Sequence, residues 1–544
     1  MNLLTDPIFR VQASNGHGAL TLPGLLAALG QDQVESLPGL QRHQEDALHM
    51  FLCYLAGAAL VRAAKDDPRQ DLGFWTEALR RMAGRTDDCA WTLLVADPTK
   101  PAFMQSPLAS EDEFLKEFKT ERYTPDAIDV LLTAKNHDIK STKSMSPQTD
   151  EWVYALISMQ TMSGYILKHQ GIARMNSGLG SRACVSVVYG ETIGQRWRRD
   201  TLKLIKVRPD LLRAPWPYRP DGVVLTWTQA WNRKTSLDLD QLDPFFIEVS
   251  RGIRLLWQDG RIAARTSTET APRINAKSYN GVLGDPWIPI NRNDPKKGES
   301  ALTVGASGFT PELLRNLIFE DGFELAPMQR PDRDQGDESF QFTASVLVRG
   351  QGTTDGFRTA AITVPGSAAK RVFRSGPHRE RLARLSKIAL TDAAELQNRA
   401  LKPAVLSLLQ AGSERIDFEK REITAWWQQS ARRYASAWGA VFFAWLWEAG
   451  ESESDEEALR NWRLRLKECA WTGLTDAMSG YPGREGRRYR ARIRSESIFY
   501  RNLHRLFPEL KEFPNDAHRT GTDNLPADDA RIHCRTTGPN LGIR

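Results

Sequence analysis

The stretch Gly171-Ile172-Ala173-Arg174-Met175-Asn176-Ser177-Gly178-Leu179-Gly180-Ser181-Arg182 runs directly into Ala183-Cys184-Val185-Ser186-Val187-Val188-Tyr189. The second run is apolar and β-branched and predicts a strand. Upstream, Trp152, Ala155, Leu156, Met159 and Met162 recur at helical spacing and predict a helix over 151–168. Helix, glycine-rich loop and strand in succession indicate a mixed α/β body. Three glycines within ten residues let the backbone approach a ligand closely. Arg174 and Arg182 add charge suited to phosphates. The loop precedes a strand instead of following one and opening a helix, so it is not a dinucleotide fingerprint. On its own it is equally a turn.

Outward from this point the pattern stays mixed as far as Pro377. Short strands and turns, then a short helix at Leu22-Pro23-Gly24-Leu25-Leu26, are expected within 1–40. Ala47, Met50, Leu52, Leu55, Ala59 and Val61 predict a helix over 41–65, and a second follows over 71–82. Phe342 to Val348 predicts another strand, and Gly350-Gln351-Gly352 a turn after it. Beyond Pro377 the character changes to four helical segments, about 378–411, 417–449, 454–479 and 485–508. The second carries a stripe of Ile423, Trp426, Trp427, Tyr434, Trp438, Val441, Phe442, Trp445 and Leu446, expected to be core. The fold class is therefore α+β: a mixed α/β globular domain over 1–376, a four-helix bundle over 377–510, and a polar tail over 511–544 expected to lack order.

Composition excludes several function classes. The 544 residues are 41% hydrophobic and 26% charged, ordinary for a water-soluble protein. The longest apolar run, Phe51 to Val61, is too short for a bilayer, and Met1 to Pro7 has no basic leader, so a cytoplasmic protein is expected. Five scattered cysteines fit neither a disulfide framework nor a zinc ribbon, and no metal is expected. No phosphate loop, zinc-protease motif or nucleophile elbow is present, and no catalytic residue or cofactor is assigned. A net charge of +6 permits nucleic-acid contact without requiring it. Basic clusters stand at Arg196, Arg198, Arg199 and Lys203, at Lys370, Arg371 and Arg374, and across 484–494. Each is either a phosphate-binding surface or a solvated face. The carboxylates of 238–243 read as a polar loop with capping aspartates.

Several segments together resemble one family. Asn2-Leu3-Leu4-Thr5-Asp6-Pro7-Ile8 resembles its opening, and Pro101-Ala102-Phe103-Met104-Gln105 its Pro-Phe-Met-Gln motif with an alanine inserted. Met175 to Arg182 resembles its glycine-rich loop before a strand. Gly350 to Phe357 falls where it carries a hairpin wedge, and the helical segments complete the order. The family is CasA, the large subunit of the type I-E CRISPR Cascade complex, and the resemblance covers most of residues 1–510.

The resemblance implies a non-catalytic subunit of an RNA-guided complex that recognises the protospacer-adjacent motif (PAM) in duplex DNA. It implies further that the subunit starts strand separation and R-loop formation and helps recruit a helicase-nuclease. Its partners are then the crRNA-containing Cascade subunits, double-stranded target DNA and that helicase-nuclease, with no membrane. By position, Asn176, Ser177, Gly178 and Leu179 face the motif, with Arg174, Arg182 and Lys277 beside them. Thr353, Thr354 and Asp355 form the wedge, and Ile139, Lys140 and Ser141 a loop near the crRNA end. Two departures stand out: Ile172-Ala173-Arg174 replaces a glycine triplet, and no glutamine occupies the wedge tip. The alternatives are a subunit with its own metal-dependent nuclease activity, using carboxylates or His518, His533 and Cys534, and a helical scaffold that binds only protein.

Overall fold

The computed structural model describes residues 1–511 apart from 15, 130–146, 163–170, 177–180, 214, 268–270, 333–337, 351–352, 414, 419–420 and 482–484. The class is α+β, with a mixed N-terminal region followed by a helical C-terminal one. By contacts the chain divides into two units. The first joins Met1–Leu390 to Gly439–Ala458; the second joins Thr391–Trp438 to the residues from Leu459 onward.

The first unit opens with a hairpin, β1 (Phe9–Ala13) and β2 (Gly16–Leu20), and helix α1 (Leu22–Gly30), whose N-cap Thr21 accepts the Gly24 N–H. Helix α2 (Glu45–Arg62) is apolar around its whole circumference and buried from Ala47 to Leu60 except at His49. Helix α3 (Leu72–Ala83) follows, capped by Asp71 and closed by Gly84 in the left-handed conformation. After α4 (Glu111–Glu117) and β3 (Thr120–Arg122) comes α5 (Thr149–Met162), at the position expected from its apolar spacing. Strand β4 (Cys184–Val188) then leads to α6 (Ile193–Leu211).

The sequence analysis did not find α6, because its exposed face is rich in arginine and lysine and its apolar face is narrow. Thr192 and Gln195 form a capping box that starts it. Its basic residues, expected as a surface cluster, are largely taken up internally. Arg199 pairs with Glu191 at 2.6 Å and donates to the Val187 carbonyl at 2.9 Å; Arg198 donates to the Gly30 carbonyl at 2.9 Å. Lys203 pairs with Asp332 at 2.8 Å. Arg196 lies 3.6 Å from Asp46 and 3.8 Å from Asp200, and Asp200 hydrogen-bonds His49 Nε2 at 2.8 Å. A charged clasp thus joins α2 to α6.

Strands β5 (Val223–Leu225) and β6 (Leu242–Ile247) pair in parallel. β7 (Ile253–Gln258) and β8 (Arg261–Thr266) form a hairpin about Asp259-Gly260, with β3 alongside β8. β9 (Ile290–Asp294) lies between β10 (Gly298–Ala301) and, after α7 (Pro311–Phe319), β11 (Phe323–Glu324). Long strands β12 (Phe340–Gly350) and β13 (Thr353–Val364) complete a sheet of order β13-β12-β4. Helix α8 (Gly366–Phe373) precedes the helical region.

That region contains α9 (Pro377–Leu396), a π turn (Gln397–Leu401), α10 (Lys402–Leu409), α11 (Arg421–Glu451), α12 (Asp455–Gly480) and α13 (Glu485–Leu506). Pro403 has no N–H for the Arg399 carbonyl, which accounts for the π turn breaking the first expected segment. Of the aromatic stripe, Tyr434, Phe442, Trp445 and Leu446 are buried. Within the second unit Tyr434 donates to the Ala393 carbonyl at 3.2 Å. Trp426, expected in the core, is 47% exposed: the apolar stripe is wider than the face that packing covers. The expected tail lies outside the described residues except for Lys511.

The clasp gives a pH dependence. Burial, and next the charge of Arg196, hold His49 below its ordinary 6.5 although Asp200 pulls upward. The unfolded chain therefore takes up the proton first, so this contribution is intact above that value and falls as pH drops through it toward the folded value. Asp200 is itself held below 3.8, so its contribution is lost only in stronger acid. Chemical denaturation should show stability falling as pH drops below about 6.5, and His49→Gln should flatten that limb.

Candidate nucleic-acid interface

Ser177, Gly178 and Leu179 lie outside the described residues, but both flanks of their loop are described. Arg174 and Arg182 are 2% and 4% exposed and converge on one carboxylate. Arg182 forms an ion pair with Asp285, and Arg174 Nε lies 3.7 Å from the same oxygen. Arg174 also donates to the Phe246 carbonyl at 2.9 Å and stacks 3.6 Å from the centroid of the Phe246 ring. Glu248 accepts the Ala173 N–H and lies 3.9 Å from Arg174. Burial pushes the Glu248 carboxyl above its usual range against the pull of Arg174. Burial is the strongest single influence on Arg182 and works against its charge, but Asp285, Tyr54 and Glu248 together overcome it and hold that guanidinium above its ordinary value. Neither arginine presents a phosphate-binding face to solvent here. They fasten the two flanks of the loop.

Lys277 is exposed, in a turn of 3-10 helix at Lys277–Tyr279. The turn ends at Gly281, whose φ is +83°; a Cβ there would collide with the Met175 backbone and the Ala301 side chain. Glycine thus permits the Lys277 turn to meet the segment carrying Asn176. The Ala301 N–H donates to the Asn280 carbonyl at 2.9 Å, which brings in the β9–β10 hairpin. From that hairpin the Lys297 ammonium donates to Asn176 Oδ1, and Lys296 beside it is exposed. Asn176, Lys277, Lys296 and Lys297 therefore share one neighbourhood. The two hairpin lysines carried no motif in the sequence, and only the fold brings them here.

The hairpin expected to act as a wedge is present as β12 and β13. Thr353, Thr354 and Asp355 are the first three residues of β13. The register passes from Val348↔Gly356 to Arg349↔Thr354, leaving a bulge at Asp355. β4 pairs with β12 only from Gln341 to Ser345, so among the described residues Val346 to Gly350 pair with β13 alone. Val346, Leu347 and Val348 are still buried, so the ribbon stays packed against the body until close to its turn. β4 begins at Cys184 opposite Ser345, so the hairpin projects from the end at which the glycine-rich loop joins β4. Ile139, Lys140 and Ser141 lie outside the described residues, as do His518, His533 and Cys534.

Other notable residues are structural. Gln105, in the motif at 101–105, is buried; it donates to the carbonyls of Leu93 at 2.9 Å and Phe103 at 3.1 Å and accepts the Leu255 N–H at 2.7 Å. Asp238 accepts from Asn275 at 2.8 Å, and Asp243 pairs with buried Arg208. Cys53, His49 and Asp200 lie together, with Cys53 Sγ 3.6 Å and Asp200 Oδ2 2.8 Å from the same His49 nitrogen. A nucleophilic relay needs the two partners on opposite ring nitrogens. Burial also pushes the Cys53 thiol well above its ordinary range, so this grouping is packing, not catalysis. No helix among the described residues is long and apolar enough to cross a membrane.

A family model described as CRISPR-associated protein Cse1 (CRISPR_cse1) matches residues 2–309. This chain belongs to the Cse1 family. Solved structures agree in fold. Thermus thermophilus CasA (Cse1) gives a TM-score of 0.60 at 15% identity, covering 93% of this chain and 99% of that one. Cse1 from Acidimicrobium ferrooxidans gives 0.58 at 14%, covering 94% and 98%, and Thermobifida fusca Cse1 gives 0.59 at 16%, covering 94% and 99%. Comparison with curated proteins finds no match. Membership of the Cse1 family, also called CasA, supports a large subunit of a type I-E Cascade, a structural part of that assembly.

Removing the carboxylate that both arginines share leaves two buried charges short of a partner. Asp285→Asn should destabilise the chain by about 3 kcal/mol, read as a lowered denaturation midpoint. Gly281→Val should also destabilise it, through the collision with the Met175 backbone.

Proposed function

We propose that this chain recognises the PAM in double-stranded target DNA, helps start strand separation and R-loop formation, and helps recruit the helicase-nuclease of the system. One observation carries the reading. The glycine-rich loop leads from the neighbourhood of Asn176 and the lysines to the start of β4, at the end from which the β12–β13 hairpin projects. A groove-reading loop, phosphate-binding lysines and a strand-splitting hairpin need this arrangement. In RNA-guided systems protein reads a short motif and base pairing reads the rest. Ser177 to Leu179 contact the motif in this reading, and Thr353, Thr354 and Asp355 form the side of the wedge. Ile139, Lys140 and Ser141 meet the crRNA end. The crRNA-containing subunits are its standing partners, its location is cytoplasmic, and the chain breaks no bonds.

In this reading the buried and the exposed charges have different parts. Arg174 and Arg182 act by holding the loop, whereas Lys277, Lys296 and Lys297 supply contacts to the DNA backbone. Lys277→Ala and Lys296→Ala should each weaken target binding by the assembled complex and lower the slope of log affinity against log salt by about 1. Arg182→Gln should weaken binding without changing that slope. A slope that falls for Arg182→Gln but not for the lysine variants would reverse the assignment. Shortening Thr353 to Gly356 should slow opening of linear duplex far more than binding to a pre-melted target. Crosslinking to DNA inside the assembly tests the reading against a scaffold that touches only protein.

A further inference from the structure

The turn Arg42–Gln44, which leads into α2, buries two polar side chains against one carboxylate. His43 Nε2 lies 2.7 Å from Asp129 Oδ1, and Gln44 Nε2 donates to Asp129 Oδ2 at 2.8 Å. The His43 and Asp129 side chains are 4% and 1% exposed. Gln44 Oε1 accepts the Gln41 N–H at 3.1 Å, which fixes the orientation of its amide. The His43 ring also meets the ring of Phe357 edge-on, with centroids 6.4 Å apart. Phe357 stands on β13 opposite Leu347 of β12. Nearby on α2, Asp46 accepts the hydroxyl of Ser345, the last residue of β12 that pairs with β4. Both strands of the hairpin therefore touch the start of α2 where the third strand ends, and the same turn grips Asp129.

A buried carboxylate and imidazole hold elements together no more strongly than well-packed apolar residues of similar volume do. Two donors, one to each oxygen, add a defined orientation. The hairpin parts from β4 at this point: the pairing stops at Ser345, and the next stretch is held by side-chain packing, Leu347 and Phe357 among it. We infer that His43 is a positioning residue for the hairpin: anchored on Asp129, it sets through Phe357 the direction in which the hairpin projects. The inference rests on the reading of that hairpin as the strand-separating element.

The test uses the assembled complex with His43→Leu, Phe357→Leu or His43→Gln. The substrates are a linear duplex carrying target and motif, and the same duplex with its motif-proximal base pairs pre-melted by mismatches. Opening is followed by fluorescence of a base analogue beside the motif. His43→Leu and Phe357→Leu should slow opening of the duplex on the order of tenfold, the scale of one buried hydrogen bond, and leave the pre-melted target unaffected. His43→Gln keeps a donor toward Asp129 and should recover part of the rate. If His43→Leu does not fold, Asp129→Asn makes the same comparison with the shape of the site kept. Equal slowing on both substrates, or none on either, overturns the inference and leaves His43 a packing residue. The shortened hairpin is the control. If it separates the substrates and the His43 variants do not, the inference alone falls; if it does not separate them, the wedge reading falls and the inference with it.

Discussion

Asp285 holds two arginines, and the placing of the glycine-rich loop follows from that buried charge. Arg174 and Arg182 come from opposite flanks of the glycine-rich loop, and without a shared counter-charge their burial would be prohibitive. The segment holding Asp285 is itself fixed. Asp285 Oδ1 accepts the Trp287 N–H at 3.0 Å, and the Trp287 carbonyl accepts the Val185 N–H of β4 at 2.9 Å. A displacement of the carboxylate would reach the loop and the strand after it together. An apolar replacement could match the stability, but it would not fix both flanks by geometry.

Much of the fold was legible because its signals are local. Helices α2, α3 and α5 and strands β4 and β12 announced themselves by apolar period, and the C-terminal helices by period and breakers. Helix α6 did not, since its charges mask a narrow apolar face. The site was legible as segments but not as an arrangement. Arg182 and Asp285 are 103 positions apart, and Lys297 and Asn176 are 121 apart. No local pattern reveals that an arginine beside a glycine-rich loop faces inward. Gln105 shows the reverse, because a motif residue with three hydrogen bonds to buried backbone serves the core.

The distribution of charge carries its own lesson. The chain is basic, yet the basic cluster of α6 is largely closed within internal ion pairs and carbonyl contacts. Around the loop the exposed positive charge belongs to a few lysines on turns. On the proposed reading a small exposed charge has an advantage, because non-specific affinity grows with every phosphate neutralised. A subunit that must release most sequences quickly is served by few such contacts and a rigidly held loop.

The part of the β12–β13 hairpin beyond its pairing with β4 bears on how such proteins can change. A two-stranded ribbon coils more strongly than a wider sheet, since no further neighbour flattens it. Adding or deleting a pair of residues there would swing the tip around the ribbon axis as well as alter its reach. Length variation at this point is therefore a change of aim as well as of reach.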